Sequence, residues 1–340
     1  LERLKEITDI QNIEYIVVNH TEPDHAGSIE KMLELNPNIT IVGSKTAIEF
    51  LKHICNREFK SLQVKTGDCL CLGDKALKFI DAKCLHWPDS MYTYLVEDKV
   101  LFTCDSFGAH YSLDTVLQST IKNQDDYMRA FKYYYDMILA PYKPFFLEAI
   151  ARIEDLEIDM VCTGHGPVLD EDPWKIIKLS KEYSTDINPN ENKTVVIPYV
   201  SAYGYTGELA LSMKKAIEEA GIDVKIFDLV YTDKNEVLKE IRWADGILFG
   251  SPTILGEALK PIWDIMTDIF SVTHRGKLAS AFGSYGWSGE AVPDLMERIK
   301  QLKMKPFKEG FKIRFKPSDS QLSEAYEFGK EFAEAVKATK

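Results

Sequence analysis

The C-terminal half of the chain alternates two kinds of apolar pattern. Continuous apolar runs at residues 195–199, 224–227, 246–249, 278–282 and 311–315 predict buried strands. Segments 208–220, 234–243, 258–270, 290–302 and 320–337 instead space their apolar positions at the helical period. Five strands alternating with five helices predict an α/β doubly wound parallel sheet. The N-terminal half is less regular. Its apolar run 13–18 ends at Asn19, a helix follows Ser28, and 39–42 reads as a strand with Ser44 as N-cap of the next helix. Runs at 62–64, 69–72, 77–81, 92–96 and 100–103 predict an antiparallel meander. Helices around 125–140 and 144–155 and a final strand at 158–162 complete an expected α+β sandwich. The polar, Asn-rich run 184–193 reads as a linker, giving domains 1–185 and 193–340.

Composition narrows the classes. The chain has 340 residues, 45% hydrophobic and 28% charged, enough for two domains that each bury a core. Its 41 Lys+Arg against 53 Asp+Glu leave a net charge of -12, and no basic stripe overrides it, so nucleic acid is excluded as a partner. No run of 18 or more apolar residues exists, so no membrane span is expected. None of the six cysteines (Cys55, Cys69, Cys71, Cys84, Cys104 and Cys162) forms a C-x-x-C pair. Reduced, partly buried thiols in a cytoplasmic protein are expected rather than a disulfide frame, with Cys69 and Cys71 facing one side of a strand. The chain opens within a helical pattern, with Leu1, Leu4 and Ile7 apolar between charged residues.

Two constellations carry chemistry. Directly after the first strand, His20, Glu22, Asp24 and His25 place four potential metal ligands within six positions. Imidazole with carboxylate is a borderline-to-hard ligand set. His86, Asp105 and His165 each follow a later strand, where a sheet gathers side chains from distant parts of the chain. A lone histidine carries no such weight, so His53 on a helix and His274 in a loop read as ordinary. His110, five residues past Asp105, fits either a supporting position or a plain loop. The second constellation begins with Ser201, Ala202, Tyr203, Gly204, Tyr205 and Thr206, between a strand and a helix. Such a hydroxyl- and Gly-rich turn presents N–H groups to a phosphate. Ser251, Pro252, Thr253, Ile254 and Leu255 follow the third strand; Ser284, Tyr285, Gly286, Trp287, Ser288 and Gly289 follow the fourth. Ligands of parallel sheets bind at these carboxyl ends, and the missing G-x-G-x-x-G pattern favours a mononucleotide.

His-x-Glu-x-Asp-His, a later His, a later Asp and a last His in Thr-Gly-His-Gly together resemble the metallo-β-lactamase fold. Glu at the second ligand position, followed by a flavodoxin-like domain, resembles the flavodiiron proteins (A-type flavoproteins) over essentially the whole chain. The resemblance implies that His20, Glu22 and His86 hold one iron, that Asp24, His25 and His165 hold the other, and that Asp105 bridges them. A charge count agrees: two ferrous ions balance three carboxylates and one hydroxide. It also implies FMN on the three loops of the second domain, with Tyr203, Tyr285 and Trp287 as alternative stacking partners. The implied reaction reduces O2 to water, NO to N2O, or both, since reduced FMN and a diferrous pair each hold two electrons. Rubredoxin or a flavin/rubredoxin reductase would be the donor. A head-to-tail homodimer would bring one subunit's flavin to the other's irons, near Glu22 and Trp87. The family has a hairpin and a further strand before the position of Leu1, so an uncovered sheet edge is expected here. Two rivals remain: a zinc hydrolase of the metallo-β-lactamase type, and an FMN electron carrier with an inactive metal domain.

Overall fold

Short β-branched and aromatic segments build two sheets in the first unit, Leu1–Asp186, of the computed structural model. Residues 1–339 are described. β1 (Tyr15–Val18), β2 (Thr40–Gly43) and β3 (Lys60–Gln63) form a three-stranded parallel sheet. This corrects the expectation that 62–64 opens the antiparallel meander. The helix Lys45–Cys55 lies between β2 and β3, and such a crossover returns the chain in its original direction. β4 (Cys69–Leu72), β5 (Lys75–Asp81), β6 (Met91–Leu95) and β7 (Val100–Cys104) pair antiparallel in sequence order. β8 (Met160–Thr163) adds parallel to β7, because helices again intervene. Val42, Val64, Phe79 and Met91 fill the space between the two sheets. Ile29, Leu33, Ile48 and Leu51 pack helices on the smaller sheet, while Tyr127, Phe131, Tyr135 and Phe146 cover the larger. The result is an α+β sandwich with helices outside and two sheets inside.

The helix expected over 125–140 is shorter. It runs Gln124–Tyr134, widens into a π turn over Tyr135–Leu139 and tightens through Ala140–Tyr142 before the helix Lys143–Ala151. Pro141 and Pro144 lack the N–H that a continuous helix requires. The opening helix is the single turn Glu2–Lys5, with no buried residue.

The second unit, Ile187–Lys340, is a doubly wound sheet. β9 (Thr194–Tyr199), β10 (Asp223–Asp228), β11 (Gly246–Gly250) and β14 (Leu278–Tyr285) run parallel in the order β10-β9-β11-β14. Between β11 and β14 a small hairpin, β12 (Thr253–Ile254) with β13 (Glu257–Ala258), occupies part of the second predicted ligand loop. The fifth strand position is divided. β15 (Lys305–Pro306) and β16 (Phe311–Arg314) both pair with β14, because Pro306 cannot extend the ladder and the chain bulges before re-entering it. Helices Tyr205–Glu219 and Asp319–Lys337 bury Leu209, Met213 and Phe332 on one face. Lys234–Trp243, Lys260–Asp268 and Ala291–Gln301 bury Ile241, Ile262 and Leu295 on the other. Among the described residues, no helix is long and apolar enough to cross a membrane.

Candidate metal centre and flavin pocket

The first site begins where β1 is pinned to the larger sheet. Asn19 Nδ2 donates to the Phe102 carbonyl at 3.2 Å, its side-chain oxygen accepts from Thr93 Oγ1 at 2.6 Å, and its own carbonyl accepts from Met91 N. The chain then makes one helical turn, Pro23–Ala26, with Pro23 at its first position, where a missing N–H costs nothing. That turn brings Glu22, Asp24 and His25 to the sheet ends carrying His86, Asp105 and His165.

All seven predicted side chains meet there. Glu22 Oε2 lies 3.1 Å from His20 Nε2 and 2.9 Å from His86 Nε2. Asp24 Oδ2 lies 3.1 Å from His165 Nε2 and 3.6 Å from His25 Nε2. Asp105 stands between the two trios. Its Oδ2 is 3.1 Å from His86 and 3.4 Å from His20, whereas Oδ1 is 3.0 Å from His25 and 3.4 Å from His165. Burial by itself would raise the Asp105 carboxyl, which is 1% exposed. The hydrogen bonds with His25 and His86 outweigh it and hold the group far below the usual carboxylate range. Reciprocally, the Asp105 hydrogen bond raises the His25 imidazole. For His86, burial pulls the imidazole down and its carboxylate neighbours more than reverse this. Imidazole nitrogens and carboxylate oxygens that converge this closely are a ready set of ligands for two cations.

The support around this cluster was invisible in the sequence. Asp89, fully buried, accepts from Thr21 N at 2.8 Å through Oδ2, while Oδ1 lies 3.5 Å from His20 Nδ1. His20 Nδ1 and Asp89 Oδ1 are both buried without a hydrogen-bond partner and face each other, so Asp89 backs His20 and leaves Nε2 facing the cluster. Tyr134 is buried, its ring 6.0 Å from that of His165. Burial and the Asp105 charge push its phenol upward, so it keeps its proton. The exposed His110 ring stands 4.7 Å from Tyr134 and 5.3 Å from His165, beside the cluster but outside its ligand-distance groups. The Trp87 ring packs 5.3 Å from that of His20. His53 lies on the helix Lys45–Cys55 and is exposed. His274 departs from its loop reading: it ends the helical turn Ser271–His274 and is buried.

In the second unit the three predicted loops surround a cavity of about 290 Å³. Tyr203 and Tyr205 line it from the first loop; Pro252, Thr253, Ile254 and Leu255 from the second; Ser284, Tyr285, Gly286, Trp287 and Ser288 from the third. Gly256 and Phe315 also line it and were not anticipated. Ser201, Ala202, Gly204, Thr206, Ser251 and Gly289 of the predicted loops do not line it. Gly204, at φ 85°, begins the helix Tyr205–Glu219 and supplies no side-chain cap, leaving the Tyr205 and Thr206 N–H groups open to an anion. Ser201 Oγ accepts from Gly207 N at 3.3 Å. Thr206 Oγ1 and Ser284 Oγ, 3.1 Å apart, tie the first loop to the third. Ser251 Oγ accepts from Leu259 N at 2.9 Å and steadies the second. From β16, Arg314 Nε donates to Gly286 O and Lys312 Nζ to Gly289 O, each at 3.0 Å. Trp287 is 92% and Leu255 94% exposed, leaving an apolar rim.

The similarities follow the same division. Residues 1–166 match the ODP family beta lactamase profile, and residues 197–329 match that of flavodoxin. The flavo-diiron protein FprA2 of Clostridium acetobutylicum is 38% identical, over 99% of this chain and 85% of its own length. A nitric oxide reductase of Moorella thermoacetica is 33% identical, over 98% and 84%. The solved rubredoxin oxygen:oxidoreductase of the anaerobe Desulfovibrio gigas superposes with a TM-score of 0.58 at 26% identity, covering 98% of this chain and 84% of that one. With both domains in order and such coverage of its relatives, the chain belongs to the flavodiiron (type A flavoprotein) family.

Proposed function

We propose that this chain is an FMN- and di-iron-dependent oxidoreductase that reduces O2 to water and NO to N2O. The observation that carries this reading is the division of Asp105, one carboxylate oxygen toward each trio of His and carboxylate groups. When bound, the iron pair supplies gas-binding positions and two electrons, and FMN supplies two more. His20, Glu22 and His86 would hold one ion and Asp24, His25 and His165 the other, with Asp105 shared. Asp89 orients His20, and Tyr134 holds a proton at its hydroxyl beside the cluster. Gly204 and the open helix turn would take the FMN phosphate, with the second and third loops flanking its ring. The names of relatives support the substrates and a rubredoxin donor.

A head-to-tail homodimer would place the exposed rim at Leu255 and Trp287 against the partner's metal site, near Glu22 and Trp87. A cytoplasmic setting suits six free thiols. The test is anaerobic reconstitution with Fe(II) and FMN, followed by O2 and NO consumption with reduced rubredoxin. Asp105→Asn should lose iron and turnover while its FMN still accepts electrons. Two bound zinc ions with hydrolase activity, or undiminished gas consumption by the variant, would refute the proposal.

A further inference from the structure

Outside both sites, Cys69 and Cys71 are the two cysteines open to solvent; the remaining four are buried or half-buried. Both lie on β4, which pairs only with β5 among the described residues and so forms the edge of its sheet. Strand alternation sends the two thiols to one face, while the intervening Leu70 packs toward Phe79 and Met91 between the sheets. Across the ladder Cys69 faces Lys78 and Cys71 faces Ala76.

Residues two apart on a strand have Cα atoms about 6.6 Å apart. That is near the outer limit for a disulfide, and side chains standing parallel do not converge to bond length. An ion between the sulfurs removes the difficulty, since two metal–thiolate bonds of about 2.3 Å span up to about 4.6 Å. Two positions apart on one strand, with both side chains on the same exposed face, the thiols are neighbours. No other His, Cys, Asp or Glu of the described residues joins them in a three-ligand group. Zinc and iron prefer fuller shells, whereas a soft monovalent ion accepts two thiolates.

We propose that Cys69 and Cys71 form a surface dithiol site for a soft thiophilic cation of the Cu(I) class. Two S–H bonds break, two S–Cu bonds form, two protons pass to solvent and no electron moves. The resulting complex carries one negative charge, which the Lys78 ammonium opposite Cys69 offsets. The site is independent of the iron and flavin chemistry.

The test is an anaerobic Cu(I) titration of the iron- and FMN-loaded chain against a chromophoric Cu(I) chelator. One Cu(I) per chain should bind, with thiolate-to-copper absorption in the ultraviolet. Cys69→Ser and Cys71→Ser should each weaken binding about 100-fold, leaving iron, FMN and gas turnover unchanged. No Cu(I) uptake, uptake only as iron is lost, or equal affinity in the double Cys69→Ser, Cys71→Ser variant would overturn the proposal.

Discussion

At the scale of single residues, the metal cluster depends on contacts that the ligands do not make themselves. Asp89→Ala would leave Thr21 N without its buried acceptor and His20 Nδ1 without the carboxylate beside it. Loss of such a support is expected to weaken iron binding about 10–100-fold, measurable by chelator competition, with the fold retained in circular dichroism. Unchanged iron affinity would show that His20 is held by other means. Gly164 has a different role: a Cβ there would stand 2.7 Å from His25 Cε1. Gly164→Ala is therefore expected to displace His25 and lower iron content, at a stability cost of about 1–3 kcal/mol. Full iron occupancy at native stability would contradict that. The ligands were legible because four of them crowd one short segment and the rest follow strands. Asp89 was not, since an acid after Pro88 resembles any turn residue until the fold sets it beneath Thr21.

At the scale of elements, the C-terminal helix is closed by a residue from the far end of its unit. Lys193 Nζ donates to the carbonyls of Val336 at 2.9 Å and Thr339 at 2.5 Å. A cation on carbonyls at a helix C-terminus is favourable, and Lys193→Met should cost about 1 kcal/mol, read as a lower urea midpoint. Beside the start of β14, burial holds the His274 imidazole below its ordinary value; Lys277 and Arg242 add to this, and the Phe270 carbonyl opposes it. As pH falls below about 6.5 the unfolded chain takes up this proton first, so stability is lost toward acid at up to ~1.4 kcal/mol per pH unit. His274→Asn should flatten the dependence of the urea midpoint between pH 7.5 and 5.5; an unchanged slope would remove His274 from the account. Strand and helix periods were readable from local pattern. The partner of 60–63 and the division of the fifth strand were not, because pairing depends on where a crossover delivers the chain.

At the scale of the whole molecule, the proposed homodimer makes turnover depend on concentration. Gas consumption per chain should fall on dilution below the dimer dissociation constant, while the donor still reduces FMN. Stopped-flow kinetics beside sedimentation would check this, and full turnover by a sedimenting monomer would defeat the head-to-tail arrangement. What the sequence by itself determined was the chemistry on offer and the period of each segment, because ligand types and apolar spacing are local properties. Only the tertiary structure decided that Asp105 turns one oxygen to each trio, that Asp89 stands behind His20, and that Phe315 lines the cavity of the second unit. Those contacts join residues far apart in the chain, and their distances follow from how sheets and helices pack rather than from any spacing along it.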